Sequence, residues 1–296
     1  MARFTHTVTV TALGRSWFEE AAGALVDLLD ASREGPDGSV VLADGRTVDG
    51  LRLLKGRHLR PGARYGEAPP PQAEESAGEA PVEPAQAAGE VPVEHAGAGA
   101  SDSPGAPQAV VLRTWRPSHS VEVESLVEED GVSLKVGLRL SEPRRPRAVE
   151  LSLAGHKPGG GSLYRFSGRG KADLAAWWSA VDRLPAAPPA ARAPVSGRAV
   201  HRLAKARLTL TPRPAEDGSW RITVGLSVRG RWLLRPVGAV VLFFARGAME
   251  RGLREAAETA AGEWNAALAE LTPLHGEALR AELADALTDP DGAAAL

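Results

Sequence analysis

The last third of the chain reads as a β-hairpin that runs directly into a long helix, and this unit limits the possible folds more than any other stretch. Residues 207–211 and 221–229 are the strands, 212–218 the turn, and Pro236 to about Leu271 the helix. In the second strand Ile222, Val224, Leu226 and Val228 share one parity, and Arg221, Thr223, Ser227 and Arg229 the other. That is the period of a strand with one buried face. Along the helix, Val237, Val240, Val241, Phe244 and Ala248 gather on one side. From Met249 onward the stripe becomes Leu253, Ala256, Ala260, Trp264, Ala267 and Leu271, centred roughly 140° away. A straight helix would have to bury nearly opposite faces, so a bend or break is expected near Gly247.

The rest of the chain is also β-rich. Phe4, His6, Val8 and Val10 alternate with threonines, which predicts a first strand. A helix over 17–31 follows, with Ser16 as its cap and Glu19 as the capping-box acid. Two short strands, 39–43 and 51–57, flank the Asp44-Gly45 turn signal. Val121, Val123 and Val127, the turn 128–131, and the alternation Val132, Leu134, Val136, Leu138 and Leu140 make a hairpin with one wet face. Val149, Leu151 and Leu153 form a further strand paired with 163–167, and a short helix over 171–184 carries Trp177 and Trp178.

Charge divides the chain. Residues 67–108 hold eight carboxylates and no Lys or Arg, so the other residues carry 29 acids against 35 bases. Built from Pro, Ala, Glu and Gly, this segment buries too little to offset its ordering entropy and reads as a disordered acidic insertion. A Pro/Ala-rich loop is expected at 185–194. Residues 1–66 and 109–296 together read as one domain; a separate domain over 1–66 is the disfavoured alternative, because 66 residues alone would make a thin core. Thirty arginines against five lysines reflect a high-GC, actinobacterial type of codon usage, not nucleic-acid binding. The absence of cysteine excludes disulfides, thiolate metal sites and a cysteine nucleophile. The N-terminus lacks the apolar block of a signal peptide, and the longest uncharged apolar run, 237–245, is half a membrane span. A cytoplasmic location is the expectation.

The strand ending in Gly230-Arg231-Trp232-Leu233-Leu234-Arg235-Pro236, the apolar patch after it, and the helix ending in Glu263-Trp264-Asn265 resemble the START/Bet v 1-like (SRPBCC) superfamily. The likeness is close over the C-terminal third and topological elsewhere. The resemblance implies a helix-grip fold that holds a lipid, polyketide or other apolar ligand between sheet and helix. About ten strands are expected here, more than that superfamily has, with two linkers and a Trp-Trp helix besides. It has no universal catalytic motif, so no catalytic residue carries over, and no cofactor is expected.

Single residues add little chemistry. His6 shares the apolar parity of the first strand and is either a core histidine or a polar group in a ligand cavity. With no second histidine at ligand spacing it does not suggest metal. Residues 155–162 are glycine-rich but lack the order of a phosphate-binding loop and read as a hairpin loop. Glu128, Glu129 and Asp130 read as a solvated turn. The basic stretch Arg144, Arg145, Arg147, Arg165, Arg169 and Lys171 lacks the aromatic interleaving of a nucleic-acid surface; solvated strand faces explain it about as well or better, and anionic lipid head groups or the chain's own acidic segment stay open as partners. The apolar run before Arg246 reads as buried, in preference to touching a membrane.

These readings converge on an α+β protein, a curved antiparallel sheet gripping a long C-terminal helix. Its expected function is binding of an apolar or amphipathic small molecule, with Trp232, Val241 and Phe244 as walls. Any reaction would be a cyclisation or dehydration guided by cavity shape, with His6 as acid–base group. The rival is a non-enzymatic interaction or assembly protein that uses Trp177 or Trp178 and the basic face to meet a protein partner.

Overall fold

The computed structural model describes residues 2–66, 109–129, 131–183, 192–230 and 235–289, without the side chains of 129, 162, 163 and 235–245. The acidic insertion 67–108 and most of the 185–194 loop therefore lie outside the described residues. Thirteen strands form one antiparallel sheet: β1 (Ala2–Val10), β2 (Arg33–Glu34), β3 (Ser39–Val41), β4 (Thr47–Lys55), β5 (Arg64–Gly66), β6 (Ala109–Arg116), β7 (Ser120–Glu129), β8 (Val132–Ser141), β9 (Ala148–His156), β10 (Phe166–Asp173), β11 (Val195–His201), β12 (Ala204–Pro214) and β13 (Trp220–Gly230). Among the described residues four α-helices accompany it: α1 (Arg15–Asp30), α2 (Leu174–Val181), α3 (Arg235–Leu271) and α4 (Gly276–Thr288).

From β2 to β13 the sheet is a meander of neighbours in sequence, and β1 adds itself beside β13. This places β1 and β2 on opposite edges. At about 4.8 Å per strand, a flat sheet of this size would hold its edges some 58 Å apart. The chain crosses from β1 to β2 with the 16 residues of α1 and six connecting residues. Those reach at most about 45 Å. The sheet therefore has to curl, and α1 lies as a chord on the inside of the curve.

The inner face is the apolar one. Directly paired positions on neighbouring strands point the same way, so the register defines rows across the sheet. One inner row runs Leu138, Leu151, Gly170, Gly197, Leu208, Leu226. Helices cover this face at its two ends. At one end Val10, Leu13, Trp178, Trp220, Ala261 and Leu268 are buried together, joined by Trp17 and Phe18 of α1. At the other, Val40, Leu42, Val48, Tyr65, Leu112 and Ala284 form a second cluster, joined by Leu28 of α1. Leu279 of α4 is fully buried. An Arg46–Asp285 ion pair and the Glu20 carboxylate, which accepts the Gly276 N–H at 2.7 Å, hold α4 in place.

Tryptophan N–H groups pin the helices. Trp17 donates to the Leu274 carbonyl at 2.9 Å, Trp115 to Asp30 at 2.9 Å, and Trp264 to the Thr11 carbonyl at 3.0 Å. Asn265 accepts the Thr11 N–H at 2.7 Å, so two adjacent residues of α3 satisfy both backbone groups just beyond the edge strand.

The terminal hairpin and long helix stand where the sequence put them, and three local expectations need correcting. First, α3 passes unbroken through Gly247. Beyond Arg246 its buried and half-buried residues include Leu253, as expected, and Ala257, Ala261 and Leu268, each one position on from Ala256, Ala260 and Ala267 of the expected stripe. Second, α1 starts at Arg15 with Gly14 as N-cap and no side-chain cap; Ser16 lies inside the helix, and Glu19 pairs with Arg15 at 2.8 Å instead. Third, β10 extends to Asp173 and shortens the helix expected over 171–184 to α2, capped by the Asp173 carboxylate on the Ala176 N–H.

Candidate functional site: a glycine-floored trough

The middle of the inner face carries exposed leucines. Leu138, Leu151 and Leu208 expose 40%, 46% and 38% of their surface, although they share a face with both cores. Single exposed leucines need no explanation, but three in one row of the sheet between two cores do.

The sequence of β10 and β11 gives this region its shape. On the inner face β10 presents Gly168, Gly170 and Ala172, and β11 presents Gly197 and Ala199. Gly170 pairs with Gly197, and Gly168 with Ala199. Two neighbouring strands thus offer almost no side chain, while Leu151 and Leu153 of β9 and Leu208 of β12 rise on either side. The result is a trough about 14 Å across, three strand spacings, with a peptide floor and aliphatic walls.

Its ends differ. Next to Ala172 the chain turns into α2, and Trp177 and Trp178 pack edge-on to Trp220 with centroids at 5.7 and 5.9 Å. At the other end the Phe166 ring lies over Gly155, in the space that a Cβ there would take. Phe166 pairs with His201, whose Nδ1 accepts the Leu203 N–H at 3.3 Å. The far end of the trough therefore carries an aromatic ring and an imidazole.

The glycines are not required by the backbone. Neither Gly170 nor Gly197 has a positive φ, and a Cβ at either would meet nothing nearer than 3.7 Å. Glycine in a strand costs about 0.5–1 kcal/mol relative to alanine. Among the described residues, neither backbone conformation nor crowding accounts for that cost.

The residues singled out from sequence fall elsewhere. His6 stands on the inner face, beside α3, with Nε2 3.3 Å from Glu258. It is three strand spacings, about 14 Å, from the β11 floor. Trp178 is buried and Trp177 half-buried, both against Trp220, so the pair belongs to the core cluster. Trp232 and the side chains of Val241 and Phe244 lie outside the described residues. Of the basic stretch, Arg144 pairs with Asp27, Arg147 with Glu142 and Lys171 with Glu150.

Sequence reasoning missed a polar cluster on the second core. Ser32 Oγ, buried, donates to the Leu29 carbonyl at 2.6 Å and lies 2.9 Å from His58 Nε2. His58 Nδ1 is 3.2 Å from the Tyr65 hydroxyl, which accepts the Leu59 N–H at 2.8 Å. The chain is consistent with a proton on His58 Nε2 and Tyr65 donating to Nδ1. Burial lowers the His58 pKa, opposed by the nearby Glu34, and burial raises that of Tyr65. With its proton committed to a carbonyl, Ser32 is not poised as a nucleophile; the cluster ties the end of α1 to the 56–63 turn. No group of His, Asp and Glu suited to a metal ion occurs among the described residues. No described helix is long and apolar enough to cross a membrane.

Against known proteins, the chain matches no family model and no curated protein.

Proposed function

We propose that the protein binds an apolar or amphipathic small molecule, of lipid or polyketide-like type, in the trough floored by β10 and β11. The observation that carries this reading is the pair Gly170 and Gly197. They leave a two-strand-wide gap between exposed leucines, at a cost in stability that the backbone does not demand. A flat ring system or acyl chain lies against a peptide floor and meets Leu151 and Leu208 at its sides. An amphipathic ligand places its polar end towards His201 and its apolar end towards the Trp177/Trp220 cluster.

The helix-grip resemblance is supported by three features: the first and last strands pair, a helix follows the first strand, and the long helix follows the last. Binding is the activity we assign. A cyclase- or dehydratase-like reaction would need an acid–base group at the ligand, and His201 is nearer to the trough than His6. Native mass spectrometry of the purified protein, followed by organic extraction, tests the reading. A stoichiometric apolar compound is expected. A clean apo mass, unchanged by a lipid and polyketide panel, would rule binding out.

A further inference from the structure

The outer face of the same sheet carries a second feature, independent of the trough. Its register aligns Ser152, Arg169, Arg198, Arg207, Ser227 and Arg3 in one row across β9, β10, β11, β12, β13 and β1. Arg169, Arg198 and Arg207 are consecutive, about 4.8 Å apart. Arg229 stands on the same face two residues from Ser227. Two hollows, about 740 and about 500 Å³, adjoin along this row, and both are lined by Arg198 and Arg207.

The two halves of the face are charged differently. On β7–β9, Glu124 meets Arg113 at 2.6 Å and Lys135 at 2.8 Å, and Glu150 meets Lys171 at 3.2 Å. Across β10–β13 and β1 the only acid is Asp173, which caps α2. Arg3, Arg169, Arg198, Arg207 and Arg229 are all exposed and make no ion pair with a described residue. Aligned like charges on neighbouring strands repel one another. Such a row is favourable once an anion lies along it.

We propose that this arginine row docks the chain's own acidic segment, residues 67–108. That segment brings eight carboxylates and no Lys or Arg to a remainder with an excess of six positive charges. It leaves the sheet at Gly66 and returns at the paired residue Ala109, both two positions from the outer row that passes through Arg64 and Val111. From β6 the row's first arginine, on β10, is four strand spacings away, about 19 Å. Forty-two residues anchored at both ends reach about 70 Å from their base, so every arginine is accessible. Tethering gives the carboxylates an effective concentration in the millimolar range, enough for many weak exposed pairs to act together.

The cysteine-free sequence makes the test direct. Spin labels on Ala87→Cys and Thr7→Cys report the distance between the segment and the outer face of β1. At about 0.05 M salt, we expect a population within about 25 Å, the width of the arginine row and its margins. It should shift beyond about 35 Å at 1 M salt, where the screening length is about 3 Å. The same shift is expected in Arg198→Glu/Arg207→Glu, and in a variant with Glu74, Glu75, Glu79, Glu83, Glu90 and Glu94 changed to Gln, which leaves the folded sheet untouched. A distribution that ignores salt and both variants would overturn the proposal. So would tight oligonucleotide binding by the full chain that leaves the distances unchanged, since it would give the row to phosphodiesters.

Discussion

Gly170 and Gly197 face each other across β10 and β11 with ordinary strand backbones and room for a Cβ at each. Alanine at either position should therefore stabilise the fold, by about 0.5–1 kcal/mol each, because the unfolded chain loses freedom and the native one loses nothing. Urea denaturation of Gly170→Ala and Gly197→Ala checks this. A loss of stability at both would mean that the backbone does need glycine there.

Asn265 and Trp264 close the end of β1 through the Thr11 N–H and carbonyl. Replacing Asn265 with alanine removes the acceptor at a solvent-accessible place, where water partly compensates. A loss of about 1 kcal/mol is expected, with faster amide exchange at Thr11 and little change in the second core.

Trp220 contacts both Trp177 and Trp178 and is buried on β13. Trp220→Ala should cost about 3–5 kcal/mol, the range for emptying a large aromatic site. The neighbouring indoles should become more accessible to a fluorescence quencher. Trp177→Ala, half-buried, should cost clearly less.

His58 predicts a pH dependence with a definite sign. Its folded pKa is lowered below 6.5 by burial, so the folded state disfavours the proton that the unfolded chain accepts. Its contribution is present above the unfolded value and is lost as pH falls from about 6.5 through the lowered folded value. Thermal melts from pH 7.5 to 5 should show this decline, and His58→Gln should flatten it. An unchanged slope in the variant would exclude His58 as its source.

Much of the fold was legible because alternation marks strands whose two faces differ. β8, with Leu134, Val136 and Leu138 against Ser133, Lys135 and Gly137, is such a case, and so is β13. The floor strands were harder for the reason that makes them interesting. In Phe166-Ser167-Gly168-Arg169-Gly170-Lys171-Ala172 the inner parity after Phe166 is only glycine and alanine, so most of the apolar half of the signal is missing and the strand resembles a loop. The period-two spacing of Gly168, Gly170 and Ala172, repeated by Gly197 and Ala199, was the available clue. α4 escaped because only Leu279 and Ala284 are fully buried on it, a thin stripe in an alanine-rich stretch. The arginine row was invisible for another reason: register between β10, β11 and β12 aligns Arg169, Arg198 and Arg207, and sequence spacing does not.

The most direct test of the trough compares bound ligand in the wild-type chain and in Gly170→Leu/Gly197→Leu by native mass spectrometry. The wild type should carry, or take up from a lipid and polyketide panel, one apolar molecule per chain. The variant, with two side chains filling the floor and the same folded spectrum, should carry none. Equal loading of both proteins would contradict the account, as would a wild type that stays empty throughout.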